Sequence, residues 1–131
     1  MPSVSKAFFT VGGLCGLTGM VWGAWMGASG DHTLYPAHAH LNLLGWVSLA
    51  IMGGYYAIVR ADGRLPWLNF ALSAGGAILM APMLAWLLAD EPHRGPTVGP
   101  LMMIPELMVM AGLAVFLFEV VTTPKSAATA A

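Results

Sequence analysis

The sequence consists of four long apolar segments separated by short polar stretches. The segments span residues 7–28, 36–59, 66–89 and 98–121. Each is long enough to cross the roughly 30 Å hydrocarbon core of a bilayer as a helix, which takes about 20 residues. Gly or Pro interrupts each connecting stretch: "SGDHTLY", "RADGRL" and "DEPHRGPT". The pattern predicts an all-α integral membrane four-helix bundle, with residues 1–131 forming a single four-span transmembrane domain.

Prolines mark the predicted helix starts and two predicted kinks. Pro36 and Pro66 stand at the starts of the second and third segments, where a missing N–H costs no hydrogen bond. Pro82 and Pro105 lie inside the third and fourth segments, and we expect them to kink those helices. The tail, 123–131, is short and weakly apolar, and we expect it to fray.

The composition supports the membrane assignment and excludes other classes. Charged residues make up 8% of the chain, whereas a soluble domain carries about 25%. The net charge of −1 provides no basic field for nucleic acid. Cys15 is the one cysteine, so an internal disulfide and the Cys-x-x-Cys-His attachment of a covalent haem are both excluded. We expect Cys15 to be a small buried hydrophobic residue.

The distribution of Lys and Arg predicts the orientation. Four spans place the N-terminus, the second connection and the C-terminus on one side of the membrane. That side carries Lys6, Arg60, Arg64 and Lys125, and the other side carries Arg94. The positive-inside rule therefore places both termini in the cytoplasm and the first and third connections in the periplasm. All four histidines are then at the outer side: His32, His38, His40 and His93.

A His-x-His pair opens the second span, in the stretch "AHAHLNLLGW" at residues 37–46. Residues two apart on an α-helix point about 200° away from each other, so His38 and His40 cannot easily bind one small ion together. Each imidazole can instead face a different neighbour. A haem on each side of the helix suits that geometry, because haem iron accepts imidazole ligands. The alternative is a pair of interfacial histidines that are hydrated or hydrogen-bonded to the loops.

A polar residue and several glycines follow the pair. Asn42 lies one turn after His38 on the same face, where it can orient the His38 ring or join two helices by a hydrogen bond. Gly45, Gly53 and Gly54 thin the second helix. A flat ring or a second helix can therefore approach closely, and plain helix packing explains these glycines equally well.

The fourth span contains two glutamates. A carboxyl group in hydrocarbon is costly and is a functional-site hypothesis by default. Glu106 can relay protons, ligate a metal or bond the backbone freed by Pro105, and these readings stay open. Glu119 lies near the inner boundary, where we expect its carboxylate to reach the interface.

Weaker metal-site candidates lie at the outer side. Polar residues of the first and third connections can bind a divalent ion, although solvated loop charge explains them better: Asp31, His32, Asp90, Glu91 and His93. Four methionines look like a soft copper track, although core packing is the better explanation: Met102, Met103, Met108 and Met110. The sequence contains no phosphate-binding glycine loop, nucleophile elbow or cysteine-based zinc pattern.

The second span resembles the tenth helix of subunit I in haem-copper oxidases and the related bacterial nitric oxide reductases. In branches of that family the His-x-His pair is preceded by an Asp and an Ala and followed in register by Gly-Trp, Gly, Tyr and Val. The matching residues here are Asp31, Ala37, His38, His40, Gly45, Trp46, Gly53, Tyr56 and Val59. The resemblance covers residues 31–59, and the other three spans show nothing comparable.

The resemblance implies that His38 and His40 ligate haem iron, since the family uses these two positions for two haems on opposite helix faces. Asn42, Gly45 and Trp46 are then the expected neighbours of the cofactor. Subunit I has twelve spans in three arcs of four, so this chain resembles one arc. A homotrimer would rebuild the twelve-helix assembly and hold a haem between His38 of one protomer and His40 of the next. The family's copper-site histidines have no counterpart in these spans, so a complete oxidase centre is not expected in one protomer.

The function that follows is a non-covalent haem b protein of the bacterial inner (cytoplasmic) membrane. Electron transfer or redox or gas sensing is expected of it rather than a complete enzymatic reaction, with lipid and a respiratory-chain protein as partners. The haem is expected toward the periplasmic face, with its propionates near Arg94, Trp25 or Tyr35. Bis-His ligation gives six-coordinate iron, and a single His leaves an open site.

Two other functions stay open from the sequence. The first is a copper- or divalent-metal-binding accessory protein that uses methionines and the four histidines near the outer face. The second is a cofactor-free structural subunit of a respiratory or photosynthetic complex. An optical spectrum and a metal analysis of the purified protein separate all three.

Overall fold

Helices make up nearly all of the part of the chain that the structure describes. The structure is a computed structural model that describes residues 1–123, with the side chain of Glu91 left out. Its elements are α1 (Ser3–Ser29), α2 (Tyr35–His40), a π-helical segment (Leu41–Ser48), α3 (Leu49–Ile58), α4 (Arg64–Leu88), α5 (Glu91–Leu101) and α6 (Met103–Thr122). Of the expected frayed tail, only Thr123 belongs to the described residues, and Lys125 lies outside them.

Four helical stretches are long and apolar enough to cross a membrane: Ser3–Ser29, Tyr35–Ile58, Arg64–Leu88 and Pro92–Thr122. The second stretch joins α2, the π-helical segment and α3, and the fourth joins α5 and α6. The prediction of an all-α four-helix membrane bundle is therefore confirmed, and the protein is a multi-pass membrane protein. The fourth stretch has 31 residues. At about 1.5 Å per residue it exceeds the hydrocarbon thickness, so polar α5 extends beyond the hydrocarbon.

The start of α1 differs from the prediction. The helix begins at Ser3 rather than near residue 7. The carboxylate of Asp62, in the second connection, accepts hydrogen bonds from the Ser3 backbone N–H at 2.9 Å and from its hydroxyl at 2.6 Å. One of the free N–H groups of the first turn is thereby satisfied by a side chain from another part of the chain. Local sequence pattern contains no sign of such a partner.

The third connection differs more. It was expected to be a loop, but α5 begins at Glu91, with Pro92 in the first turn, where the missing N–H costs nothing. The fourth span is interrupted at Met102, in the turn ahead of Pro105. Pro105 has no N–H to donate to the carbonyl one turn earlier, which interrupts the helical hydrogen-bond pattern at Met102 while the backbone dihedral angles of Met102 stay helical.

The π-helical segment was not predicted. The side-chain amide of Asn42 donates to the carbonyl oxygen of His38 at 2.9 Å, and the hydroxyl of Ser48 donates to the carbonyl oxygen of Leu43 at 2.9 Å. Side chains that bind main-chain carbonyls within a helix compete with its regular hydrogen bonds and loosen the winding. π-Helical turns are rare and are frequently found at functional sites.

The apolar core lies between α1, α3 and α4. Phe8 and Tyr56 are fully buried there, and their ring centroids are 5.5 Å apart. A smaller core group contains Cys15, which is buried as expected, together with Leu41 and Ala81. The two groups join the second span to the part of α1 between Val4 and Cys15.

Candidate functional site

A row of glycines on α1 receives the second span. In order, Gly16, Gly19 and Gly23 face Trp46, Asn42 and His38. A Cβ atom on Gly23 would lie 2.9 Å from Cε1 of His38, and one on Gly19 would overlap the Asn42 amide. Only glycine at these positions allows the second span to approach α1 so closely. The α1 backbone therefore forms one wall of the space around His38.

His38 is partly buried between α1 and Asn42. The Asn42 amide nitrogen lies 3.3 Å from Nδ1 and 3.5 Å from Nε2 of the His38 ring, and the same nitrogen donates to the His38 carbonyl. The Tyr35 ring is a further neighbour, with its centroid 6.4 Å from that of the His38 ring. The ring is thus held in place by its neighbours.

His40 is exposed and faces the opposite side of α2. Its Nδ1 lies 2.7 Å from the carbonyl oxygen of Pro36. A carbonyl only accepts hydrogen bonds, so Nδ1 is the donor, and in the neutral imidazole Nε2 then carries the free lone pair. Imidazoles that ligate metals have this arrangement, in which the second nitrogen is hydrogen-bonded to a carbonyl or carboxylate.

His40 lines a cavity between the second span, α4 and α6. The cavity has a volume of about 380 Å³, within the range of roughly 300–1,000 Å³ that is common for ligand pockets. Its other lining residues are Leu44, Met80, Leu84, Met102, Glu106, Val109 and Met110. The fold therefore brings Glu106 and two of the four candidate methionines to His40. It adds Met80, which sequence reasoning missed because α4 carries no other candidate residue.

The remaining two methionines of the predicted track lie elsewhere. Met103 is 59% exposed, and the Met108 methyl group lies against Gly75 of α4. The four methionines therefore do not form one continuous track along α6.

Two of the three candidate glycines of the second span serve helix packing. A Cβ atom on Gly45 would lie 2.9 Å from Cβ of Cys15, and one on Gly53 would lie 2.8 Å from Cβ of Phe8. Gly54 has open space beside it. Trp46 is 40% exposed and lines a second groove with Asn42 and α1 residues, on the His38 side of the span.

The other two histidines, His32 and His93, do not line the His40 cavity. His32 is exposed, and its Nδ1 lies 3.0 Å from the carbonyl oxygen of Gly30. His93 is exposed and pairs with Asp90 at 2.7 Å within α5. Among the described side chains, which leave out that of Glu91, no group of three or more His, Cys, Asp or Glu is placed to hold a metal ion. The loop-based divalent-ion site stays a prediction from the sequence.

Arg94, a candidate partner of haem propionates, is engaged with α4. Its Nη1 donates to the carbonyl oxygen of Trp86 at 2.8 Å, and its guanidinium lies 5.7 Å from the Trp86 ring centroid. Its Nε is 4.0 Å from the Asp90 carboxylate.

Asp31 lies in the first connection, between α1 and α2. A hydrogen bond from the backbone N–H of Thr33 lowers the pKa of its carboxyl group.

The expectation for Glu119 was wrong. Its side chain is buried, at 9% exposure, and accepts a hydrogen bond from the Tyr56 hydroxyl instead of reaching the interface. Asn69 and Ser73 of α4 continue the same network. Polar residues spaced one turn apart on α4 were the signal in the sequence that this network exists.

The fold and the site define an all-α, four-span membrane protein with a divergent His pair at one end of its second span. Comparisons with protein-family models, with curated proteins and with solved structures found no match to this chain. Function is therefore proposed from the residues and their geometry.

Proposed function

We propose that this protein binds haem b non-covalently through His40 and acts in electron transfer or in redox or gas sensing. One observation carries the proposal: an exposed imidazole lines a ligand-sized cavity, and its Nδ1 is hydrogen-bonded to the Pro36 carbonyl, so that Nε2 is the nitrogen available as a ligand. The resemblance of residues 31–59 to a haem-bearing helix supports the same group.

The cavity fits such a group in its chemistry. Leu44, Leu84 and Val109 give it apolar walls suited to a macrocycle. Met80 and Met102 place thioethers on the same cavity, and a thioether is an alternative axial ligand to a second imidazole. When bound, haem supplies a one-electron redox couple. The chain's own part is to ligate the iron, to orient the His40 ring and to exclude water.

The surface around the cavity supports a homo-oligomer, and the trimer is proposed as its form from the resemblance to one arc of a twelve-span subunit. Glu106 is exposed on the protomer, although it lies within the fourth membrane-spanning stretch. A carboxyl group facing lipid is costly, so a second copy that covers this face would stabilise it, and closed symmetry makes the contact self-consistent. In this arrangement His38 of a neighbouring copy is the proposed second ligand.

The test is the optical spectrum of protein purified from haem-replete membranes. We expect a Soret band that shifts on dithionite reduction. His40→Ala should lose it, and His38→Ala should keep haem with an altered coordination state. His93→Ala is the matched control, because His93 is exposed on α5 and bonded to Asp90. Absence of the band in the wild type, or full haem content in His40→Ala, contradicts the proposal.

Copper binding is the second candidate, and the cavity gives a specific reason for it. His40, Glu106 and the thioethers of Met80, Met102 and Met110 line one space, and thioether ligands select Cu(I). Metal analysis decides between the two functions. Stoichiometric copper without a Soret band, lost in a Met80→Leu, Met102→Leu double variant, favours copper over haem.

The membrane and its orientation complete the proposal. We place the protein in a bacterial inner membrane with its termini in the cytoplasm, on the basis of the basic residues at that end. His38 and His40 are then near the periplasmic face. The proposed redox partner is a respiratory-chain protein that approaches from that side.

A further inference from the structure

The end of the bundle opposite the His pair contains a buried polar chain that crosses three helices. The Ser73 hydroxyl donates to the Asn69 side-chain oxygen at 2.8 Å, and the Asn69 amide donates to the Tyr56 hydroxyl oxygen at 2.9 Å. Tyr56 in turn donates to Oε2 of Glu119. Every donor in the chain points toward Glu119, so the carboxylate is its final acceptor.

The direction of this chain favours the ionised form of Glu119. Hydrogen bonds that follow one another polarise each other, so the bond from Asn69 strengthens the donation by Tyr56. A hydrogen bond to the charged form of a carboxyl group stabilises that form. The chain therefore replaces part of the hydration that the carboxylate loses inside the bundle.

The surroundings of Glu119 favour its neutral form. Glu119 lies in the last turns of α6 with 9% exposure, and its donor Tyr56 packs against the rings of Tyr55 and Phe116. Among the described side chains the ion pair is that of Asp90 with Arg94, with the His93 imidazole hydrogen-bonded to the same carboxylate, and Glu119 takes part in neither contact. A carboxylate buried in a membrane protein is costly, so addition of a proton relieves this cost.

The groups that face Glu119 leave room for that proton. From α3 the titratable groups are the hydroxyls of Tyr56 and Tyr55, and Tyr55 donates to the Thr123 hydroxyl at 2.8 Å. From α4 the facing groups are Asn69 and Ser73, which do not titrate. Oε2 of Glu119 accepts the bond from Tyr56, and Oε1 accepts none from the described residues. No described side-chain oxygen or nitrogen is fully enclosed without a partner, and Oε1 is therefore the oxygen at which we place the proton.

We propose that Glu119 is a reversible proton-binding site in the membrane, loaded from the end of the bundle where α1 begins. The proton comes from water at that interface and adds to Oε1, while Tyr56 keeps its own proton and its bond to Oε2. Loading converts the carboxylate to a neutral acid, and release returns the proton to the same interface. The site is independent of any cofactor at His40.

Infrared spectroscopy of the full-length protein in lipid nanodiscs tests the proposal. A protonated carboxyl group has a C=O stretching band that a carboxylate lacks. We expect the band to disappear as the pH is raised and to be absent in Glu119→Gln, which keeps the size and the acceptor oxygen. Glu106→Gln is the matched control, because it removes the other glutamate of the fourth span and should leave the Glu119 band in place.

Tyr56→Phe provides the second variant, in case Glu119→Gln does not fold. Loss of the hydroxyl removes the donor to the carboxylate, so the band should persist to a pH about one unit higher than in the wild type. Tyr55→Phe is its control and should cause a smaller change. In a Lys125→Gln variant, made in parallel, the band should still titrate. That result excludes the Lys125 ammonium as the reason why the protonation of Glu119 depends on pH. A band that does not titrate, that survives in Glu119→Gln or that is unmoved in Tyr56→Phe overturns the proposal.

Discussion

The contact between α4 and α6 depends on Gly76 more than on its neighbour Gly75. A Cβ atom on Gly76 would lie 2.9 Å from the carbonyl oxygen of Pro105, 3.0 Å from the amide nitrogen of Val109 and 2.7 Å from its Cγ2. Two of these atoms are backbone and cannot rotate away. Gly76→Ala therefore forces α6 to move by several tenths of an ångström, since ordinary contacts begin near 3.4 Å.

Gly75→Ala is the matched control, one residue earlier on the same helix. Its Cβ would meet only the Met108 methyl carbon, at 2.9 Å, and a flexible thioether side chain can move aside. Both substitutions share the gain of about 1 kcal/mol in helix propensity, so that gain cancels when the two variants are compared. Overpacking costs about 1–3 kcal/mol. We expect Gly76→Ala to be less stable than Gly75→Ala by that amount.

Reversible unfolding in mixed micelles measures the difference. SDS is titrated into dodecylmaltoside micelles, and helix content is followed by circular dichroism in the wild type and in both variants. Gly76→Ala should also disturb the His40 cavity, because Glu106 and Val109 lie on the part of α6 that moves. Equal stability of the two variants, or a less stable Gly75→Ala, would refute the packing of α6 described above.

Two further predictions concern the ends of the bundle. The pKa of Asp62 is lowered, chiefly by the Ser3 hydroxyl, from an ordinary value of 3.8. The Ser3 hydroxyl bonds the ionised carboxylate in the folded protein. The stability that this bond contributes is therefore fully present above the ordinary pKa of 3.8 and is lost as the pH falls through the lowered pKa. Fluorescence of Trp67, whose indole N–H donates to the same carboxylate at 3.0 Å, should change in that range and should not do so in Asp62→Asn. A Thr33→Cys variant in a Cys15→Ser background should react with an impermeant maleimide in intact cells, and reaction only after lysis would reverse the proposed orientation.

Period and length of the apolar segments were sufficient to predict the number and type of the membrane helices. Burial in hydrocarbon requires a helix to satisfy its own backbone, so an apolar segment of this length has one structural outcome. The prediction was weaker where a partner distant in sequence decides the structure. Asp62 moves the start of α1 to Ser3, and no periodicity records such a contact.

The sequence predicted which residues belong to the candidate site, but it did not predict which of them lie close together. His38, His40 and Glu106 were each singled out, but their grouping was not, because it depends on which faces of α4 and α6 meet the second span. The glycines of α1 were overlooked because a small residue shows its purpose only opposite the side chain that it admits. Glu119 was misassigned for a similar reason, since its donor, Tyr56, comes from another helix.

The π-helical segment makes the two ends of the second span adjustable with respect to each other. An α-helix turns by about 100° per residue, so a single insertion or deletion between His40 and Leu49 would rotate the histidines by that angle while Tyr56 stays against α4 and α6. A loosely wound segment tolerates such a change better than a regular helix, because its hydrogen bonds are already irregular. The two halves of the span can therefore differ in orientation, and the direction in which the His pair points can change while the packing of the other helices stays the same.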